Sequence, residues 1–185
     1  MEELKRYRNS FILLTLICVA GIMLGIYLYQ YTDYFDALRS DVTLADSFSF
    51  DASEVLSLFF DELKITAVMF VLGFTLLAPY ATAAVILYKG FMTGFSVLCL
   101  GIYYQAGGID KHSFILATGS MVLILIIYIM IGARAYAFSG SLRYAAPDTL
   151  SIIKHKNTGG YIVAYLMLSL LLLMAIALKY SVSLL

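Results

Sequence analysis

The sequence has no tryptophan, only two prolines and two cysteines, and few charged residues. Charged side chains make up 13% of its 185 residues, whereas a soluble domain carries about 25%. Apolar side chains make up 62%, and the mean hydropathy is +0.92. Cys18 and Cys99 both lie within apolar segments, which argues against a disulfide framework or a zinc site. The composition therefore predicts an integral membrane protein.

Catalytic signatures are also missing. The sequence contains no His-Glu-x-x-His, Gly-x-Ser-x-Gly or Walker sequence, the motifs of zinc proteases, serine hydrolases and P-loop proteins. His112 and His155 fall on opposite sides of the membrane in the topology predicted from the basic residues, so they cannot share a metal. We therefore expect no enzymatic activity, cofactor, bound metal or nucleic-acid partner. A permease for neutral solutes remains open.

Five apolar segments are each near the roughly 20 residues that a membrane-spanning helix needs. They are 11–29, 63–88, 90–106, 113–138 and 161–178. The predicted fold class is all-α, a polytopic membrane helix bundle that forms one domain over 1–185. We expect an uncleaved signal anchor at 11–29, an outer acidic loop at 30–62 and the helical bundle at 63–178. Pro79 is expected to tilt or kink the second span.

The stretch 65–106 contains one charged residue, Lys89, followed directly by Gly90. As a single helix it would be about 60 Å long at 1.5 Å per residue. The hydrocarbon core of a bilayer is about 30 Å thick, so the stretch must cross twice. Lys89 and Gly90 are predicted to form the turn of a tight hairpin between the second and third spans. Arg134 lies near the inner end of the fourth predicted span. With Lys89 at a turn, no charge is expected near mid-bilayer.

Basic residues are distributed unevenly between the two sides of the predicted spans. With the N-terminus in the cytoplasm, eight lie inside and four lie outside. The inside set is Lys5, Arg6, Arg8, Lys89, Arg134, Arg143, Lys154 and Lys156, and the outside set is Arg39, Lys64, Lys111 and Lys179. Because cytoplasmic loops carry an excess of Lys and Arg, we expect a multi-pass plasma-membrane protein. Its N-terminus is predicted to be cytoplasmic and its C-terminus external.

The outer loop, 30–62, is the longest exposed segment predicted, and it is acidic. Residues 51–54 have the spacing of a capping box, and the apolar residues that follow lie on one helical face. This pattern fits a short interfacial helix and the first turns of the second span equally well. The candidate partner surface consists of Asp41, Asp46, Asp51, Phe59 and Phe60. Phe60 could also be embedded in lipid.

Glycines recur at the four-residue interval that lets membrane helices approach closely. Gly21 and Gly25 form one such pair, Gly90 and Gly94 form another, and Gly101 continues the second face. We expect Gly94 to let the second and third spans pack closely. Packing within the chain accounts for most of this pattern, and homodimerisation through Gly21 and Gly25 is the alternative.

Three stretches of the sequence carry a family resemblance. They are Phe59-Phe60-Asp61-Glu62-Leu63-Lys64, then Phe70-Val71-Leu72-Gly73-Phe74, and Leu87-Tyr88-Lys89-Gly90-Phe91-Met92-Thr93-Gly94-Phe95-Ser96-Val97. Together they resemble the stage II sporulation protein M family. Its members show an aromatic approach to the second span, a glycine within that span, and a Lys-Gly-Phe or Asn-Gly turn with a second glycine four residues later. The proline motif of the family's fourth span is missing here from 116–125.

The resemblance implies a non-enzymatic role. In endospore formers the family member anchors a machine that contains two peptidoglycan-degrading proteins and drives membrane migration during engulfment. It implies a scaffold that recruits cell-wall hydrolases at the plasma membrane, with the lipid bilayer and those hydrolases as partners. The alternative, from another class of protein, is a small permease or a membrane subunit of a transporter.

Overall fold

The computed structural model describes residues 2–31, 52–142 and 158–181, and its secondary structure there is entirely helical. The helices are α1 (Glu2–Tyr31), α2 (Ala52–Leu72), α3 (Ala78–Gln105), α4 (Lys111–Leu142) and α5 (Thr158–Ser181). All except α2 are long and apolar enough to cross a membrane. The prediction of an all-helical membrane protein is confirmed at this level, and the number of crossings stays a prediction.

Helices α1 and α3 run parallel with their backbones in contact. A Cβ atom on Gly90 would lie 2.6 Å from the carbonyl oxygen of Cys18, and one on Gly94 would overlap a carbonyl oxygen further along α1. Cβ atoms on Gly21 or Gly25 would likewise overlap carbonyl oxygens of α3. Both glycine pairs therefore lie in one interface within the chain. Gly94 packs against α1 rather than against the second helix, which corrects the prediction.

The described helices alternate in direction along the chain. Five-residue connections join α3 to α2 before it and to α4 after it, and α3 is antiparallel to both. The ends of α2 and α4 are adjacent, since the Ser139 hydroxyl donates to the backbone oxygen of Thr75 at 2.6 Å. Tyr161 at the start of α5 stacks on Phe138 near the end of α4. The two termini therefore lie at opposite ends of the bundle.

The chain turns between α2 and α3 at 73–77, so the turn predicted at Lys89 and Gly90 is wrong. Both residues lie inside α3, which is continuous from Ala78 to Gln105. The kink predicted at Pro79 is also wrong, because this proline occupies the first turn of α3. There its missing N–H removes no helical hydrogen bond. A lone charge in an apolar run predicts a turn, but the charge of Lys89 is neutralised by Glu62 within the bundle.

Helix α2 is continuous from Ala52, so residues 52–62 are its first half and belong neither to the loop predicted there nor to a separate interfacial helix. Phe59 is half-buried against the core, whereas Phe60 points outward with 50% of its surface exposed. The other members of the predicted partner surface, Asp41, Asp46 and Asp51, lie outside the described residues.

The core is centred on α4, which packs against all four other described helices. Its Tyr128 is fully buried, as are Leu14, Met69, Ile86 and Leu172, one from each neighbouring helix. Large apolar side chains also cover the outward faces of α1 and α5. Contiguous apolar surfaces of this extent suit contact with lipid rather than water.

The connection between α3 and α4 ends in a helix cap. Gly107 takes the left-handed backbone conformation, with φ of 77°, that glycine adopts without steric cost. The Asp110 carboxylate then accepts a hydrogen bond from the backbone N–H of His112 at 2.9 Å. Hydrogen bonds from the Ser113 side chain, and from the backbone N–H groups of His112 and Ser113, hold the pKa of Asp110 below its ordinary value of 3.8.

Candidate functional site

One face of α2 turns toward the other helices and carries an acidic residue. Along this face Thr66 and Met69 are fully buried and Phe59 is half-buried. Glu62 lies between them, three residues after Phe59 and four before Thr66. Helical spacing places all four on the same stripe. The side chain of Glu62 is therefore directed into the bundle by the packing of its own helix.

Lys89 of α3 forms an ion pair with Glu62. Its Nζ lies 2.7 Å from Oε1 and 2.6 Å from Oε2 of the carboxylate. Only 16% of the Lys89 side chain and 26% of the Glu62 side chain are exposed. A charge buried away from water is costly unless it is paired and hydrogen-bonded. Here the ammonium group of Lys89 and the carboxylate of Glu62 neutralise each other in a largely buried site.

Tyr128 of α4 completes the arrangement, which we call the Glu62–Lys89–Tyr128 cluster. Its hydroxyl donates a short hydrogen bond to Oε2 of Glu62. The Lys89 Nζ also lies 5.0 Å from the centre of the Tyr128 ring, a distance suited to a cation–π interaction. The cluster therefore joins three helices through charge-assisted contacts.

The cluster lies near the middle of the bundle. Glu62 is the eleventh residue of 21 in α2, and Lys89 is the twelfth of 28 in α3. At 1.5 Å per residue, Lys89 is about 16 Å from the start of its helix, roughly half the thickness of a hydrocarbon core. If α3 crosses the membrane, Lys89 therefore lies near mid-bilayer, contrary to the expectation that no charge does.

A second cation lies in electrostatic range of the cluster. Lys179, near the end of α5, is exposed but interacts with the charges of both Glu62 and Lys89. Glu62 is therefore the acidic centre of a site with basic residues from two helices. Such a site can fasten helices together. Within the described residues no group of His, Cys, Asp and Glu is arranged to hold a metal ion.

Sequence reasoning missed Glu62 and misplaced Lys89. The sequence signal that could have found Glu62 is its spacing from Phe59, Thr66 and Met69, which places the acid on the buried stripe of α2. The neighbouring Asp61 and Lys64 fall on the other side of the helix.

Sequence reasoning also missed an aromatic cluster at the C-terminal end of α2. Its members stack or meet edge to face across three helices, and they are Phe70, Phe74, Phe138, Tyr161 and Tyr165. The Tyr161 hydroxyl donates to the backbone oxygen of Phe70 at 2.9 Å. A Cβ atom on Gly73 would overlap the Tyr161 hydroxyl. Glycine at position 73 therefore makes room for this ring.

Gly101 is the remaining glycine of the predicted packing face. No atom from another helix lies within 4 Å of the position that a Cβ on Gly101 would occupy. It is therefore not part of the close α1–α3 contact, although Gly90 and Gly94 on the same helix are.

A family model for stage II sporulation protein M matches residues 12–178. The chain belongs to this family. Its members are generally non-catalytic membrane proteins, and the match runs from the first turns of α1 almost to the end of α5. Comparisons with curated proteins and with solved structures gave no significant match.

Two of the stretches that carry the family resemblance contain the two partners of the ion pair. Glu62 lies in the aromatic approach to the second span, and Lys89 in the Lys-Gly-Phe motif, which is helical here rather than a turn. These distant motifs meet at the Glu62–Lys89 ion pair.

Proposed function

We propose that the chain is a non-enzymatic membrane scaffold that holds peptidoglycan hydrolases at the outer face of the plasma membrane. The family match over residues 12–178 carries this proposal, because anchoring such enzymes is the role that the family resemblance implies. The cluster supports it. Glu62 and Lys89 neutralise one another within the bundle, and Tyr128 donates to the same carboxylate. These contacts are suited to fastening a rigid platform.

The proposed partner-binding surface lies at the end of the bundle where α1 ends and α2 begins. The segment 32–51 joins these two helices, and its sequence carries Asp41 and Asp46, with Asp51 at its end. In the predicted topology this segment faces the cell wall. An acidic segment steers and selects partners that present basic surfaces.

The test is affinity capture from membranes of cells that produce a tagged chain. Captured material is assayed for hydrolysis of purified peptidoglycan in a gel. We expect the variant Asp41→Arg/Asp46→Arg/Asp51→Arg to lose most of the captured hydrolase activity, since its loop would repel a basic partner.

The matched control is Glu2→Arg/Glu3→Arg/Asp148→Arg, which makes the same change in charge at the other end of the predicted topology. It should capture as much activity as the unaltered chain. Membrane insertion of both variants is checked by protease protection, because added basic residues can reverse topology. Equal capture by both correctly inserted variants would rule out the acidic segment as the binding site. Absence of hydrolase activity from the unaltered chain's captures would overturn the scaffold proposal itself.

A second candidate function is that of a transporter subunit, and the mid-bundle ion pair favours it, since intramembrane charges commonly mark ion or proton pathways. The two functions predict different effects of Glu62→Gln. In a scaffold, the substitution lowers the amount of folded chain and leaves capture per molecule unchanged. In a transporter, it also abolishes solute or proton flux per folded molecule in reconstituted vesicles.

A further inference from the structure

Helix α2 carries a second ion pair on the side opposite to Glu62. Lys64 Nζ lies 2.8 Å from Oδ1 of Asp61, and the two side chains are 75% and 62% exposed. Asp61 is next to Glu62, whose carboxylate meets the middle of both α3 and α4. The exposed pair therefore lies at the same height in the bundle as the buried one, level with the middle of the candidate span α3.

Lipid alone cannot solvate this pair. Charged side chains within membrane-spanning segments almost always face protein or a water-filled cavity. A lysine side chain can extend toward the headgroups only by about 6 Å, and the nearer interface is about 15 Å away, half the thickness of the hydrocarbon core. An aspartate reaches less far still. The outward face of α2 must therefore be covered by something polar at this depth.

The exposed residues of this face follow a heptad pattern. They are Ser57, Asp61, Lys64, Val68 and Val71, separated by four, three, four and three residues, and all five are exposed. Alternating intervals of three and four place all five on one helical face, which can pack along one further helix. We call these five residues the α2 seam. The part of the seam nearer the C-terminal end of α2 is apolar, with Val68 and Val71 exposed by 55% and 60%.

We infer that a second copy of this chain covers the α2 seam. Copies inserted with the same orientation are related by a two-fold axis along the membrane normal, so their α2 helices pack in parallel. Such an interface brings each residue opposite itself. Two aspartates and two lysines then form a neutral group, in which the long stem of Lys64 spans one turn to reach Asp61 of the second copy. The glycine face of α1, the other dimer surface considered, is already occupied by α3.

Cysteine cross-linking in native membranes tests the geometry. In a chain with Cys18→Ala and Cys99→Ala, Val68→Cys should give a disulfide-linked product of twice the chain mass on mild oxidation. Met174→Cys is the matched control, because it is 69% exposed on the outward face of α5. It should give no such product. Equal yields from the two positions, or a Val68→Cys product of a different mass, would overturn the second copy as the occupant.

Exchange of the two charges tests the electrostatics. Asp61→Lys would place four lysines at the seam, and Lys64→Asp would place four aspartates there, so each should reduce the Val68→Cys cross-link several-fold. The double variant Asp61→Lys/Lys64→Asp restores a neutral group and should restore the cross-link. Single variants that cross-link like the parent, or an exchanged pair that does not recover, would show that these charges do not face a second copy.

Discussion

The Glu62–Lys89 ion pair is the residue-level feature on which the packing of α2 depends. Removing one partner leaves an uncompensated charge inside the bundle, which costs about 3–5 kcal/mol. We expect Glu62→Leu and Lys89→Leu each to lower the stability of the folded chain by an amount of this order. The measurement is unfolding in mixed detergent micelles.

Replacement of both charges provides the decisive comparison. Exchanging a buried ion pair for packed apolar side chains is commonly neutral or stabilising, so Glu62→Leu/Lys89→Leu should recover most of the loss. Tyr128→Phe removes one donor to the carboxylate and should cost about 1.5–3 kcal/mol, as for a hydrogen bond to a charged group. A double variant as unstable as the sum of the singles would show that the two charges do not act on each other.

The contact between α1 and α3 is the closest helix pairing in the described part of the chain. A Cβ atom on Gly94 would overlap a carbonyl oxygen of α1, and a backbone cannot yield as a flexible side chain can. We therefore expect Gly94→Leu to separate the two helices and to lower the thermal stability and the cellular level of the protein. Lipid cannot replace contact between two backbones.

Gly101→Leu is the control for this element. It lies two turns further along the same helix, where nothing occupies the space that a Cβ would fill. It should be tolerated, and the loss of glycine should favour the helix. Equal instability of the two variants would mean that side-chain volume, rather than backbone contact, decides the outcome.

Local patterns predicted the character of the helices well, and contacts between distant segments explain where the prediction failed. The spacing of Gly21 and Gly25, and of Gly90 and Gly94, indicated close packing, but not that the two pairs pack against each other. The local pattern predicts a turn at Lys89 because its counter-charge, Glu62, is 27 residues away along the chain. Its pairing depends on how α2 and α3 are brought together. Pro79 marked the true turn, since proline is favoured in the first turn of a helix.

At the scale of the whole molecule, helix direction bears on the number of crossings. Since α1 and α3 are parallel, the chain must return from one end of the bundle to the other between them. Helix α2 is the described element that makes this return, although its charges distinguish it from the four more apolar helices. Its outward charges therefore create a need for protein contact that a more apolar helix would not have. Five crossings follow if α1 and α3 both cross the membrane.

The basic residues of the chain predict the orientation of the bundle. Lys89 and Lys64 lie mid-helix and no longer belong to either side, so the balance becomes seven inside against three outside. This asymmetry still predicts a cytoplasmic N-terminus. In intact cells, a membrane-impermeant thiol reagent should therefore label Asp41→Cys and His112→Cys but not Leu76→Cys or Asp148→Cys. All four should react after permeabilisation. Labelling of Leu76→Cys from outside would mean that α2 does not cross, and a complete reversal of the pattern would place the N-terminus outside.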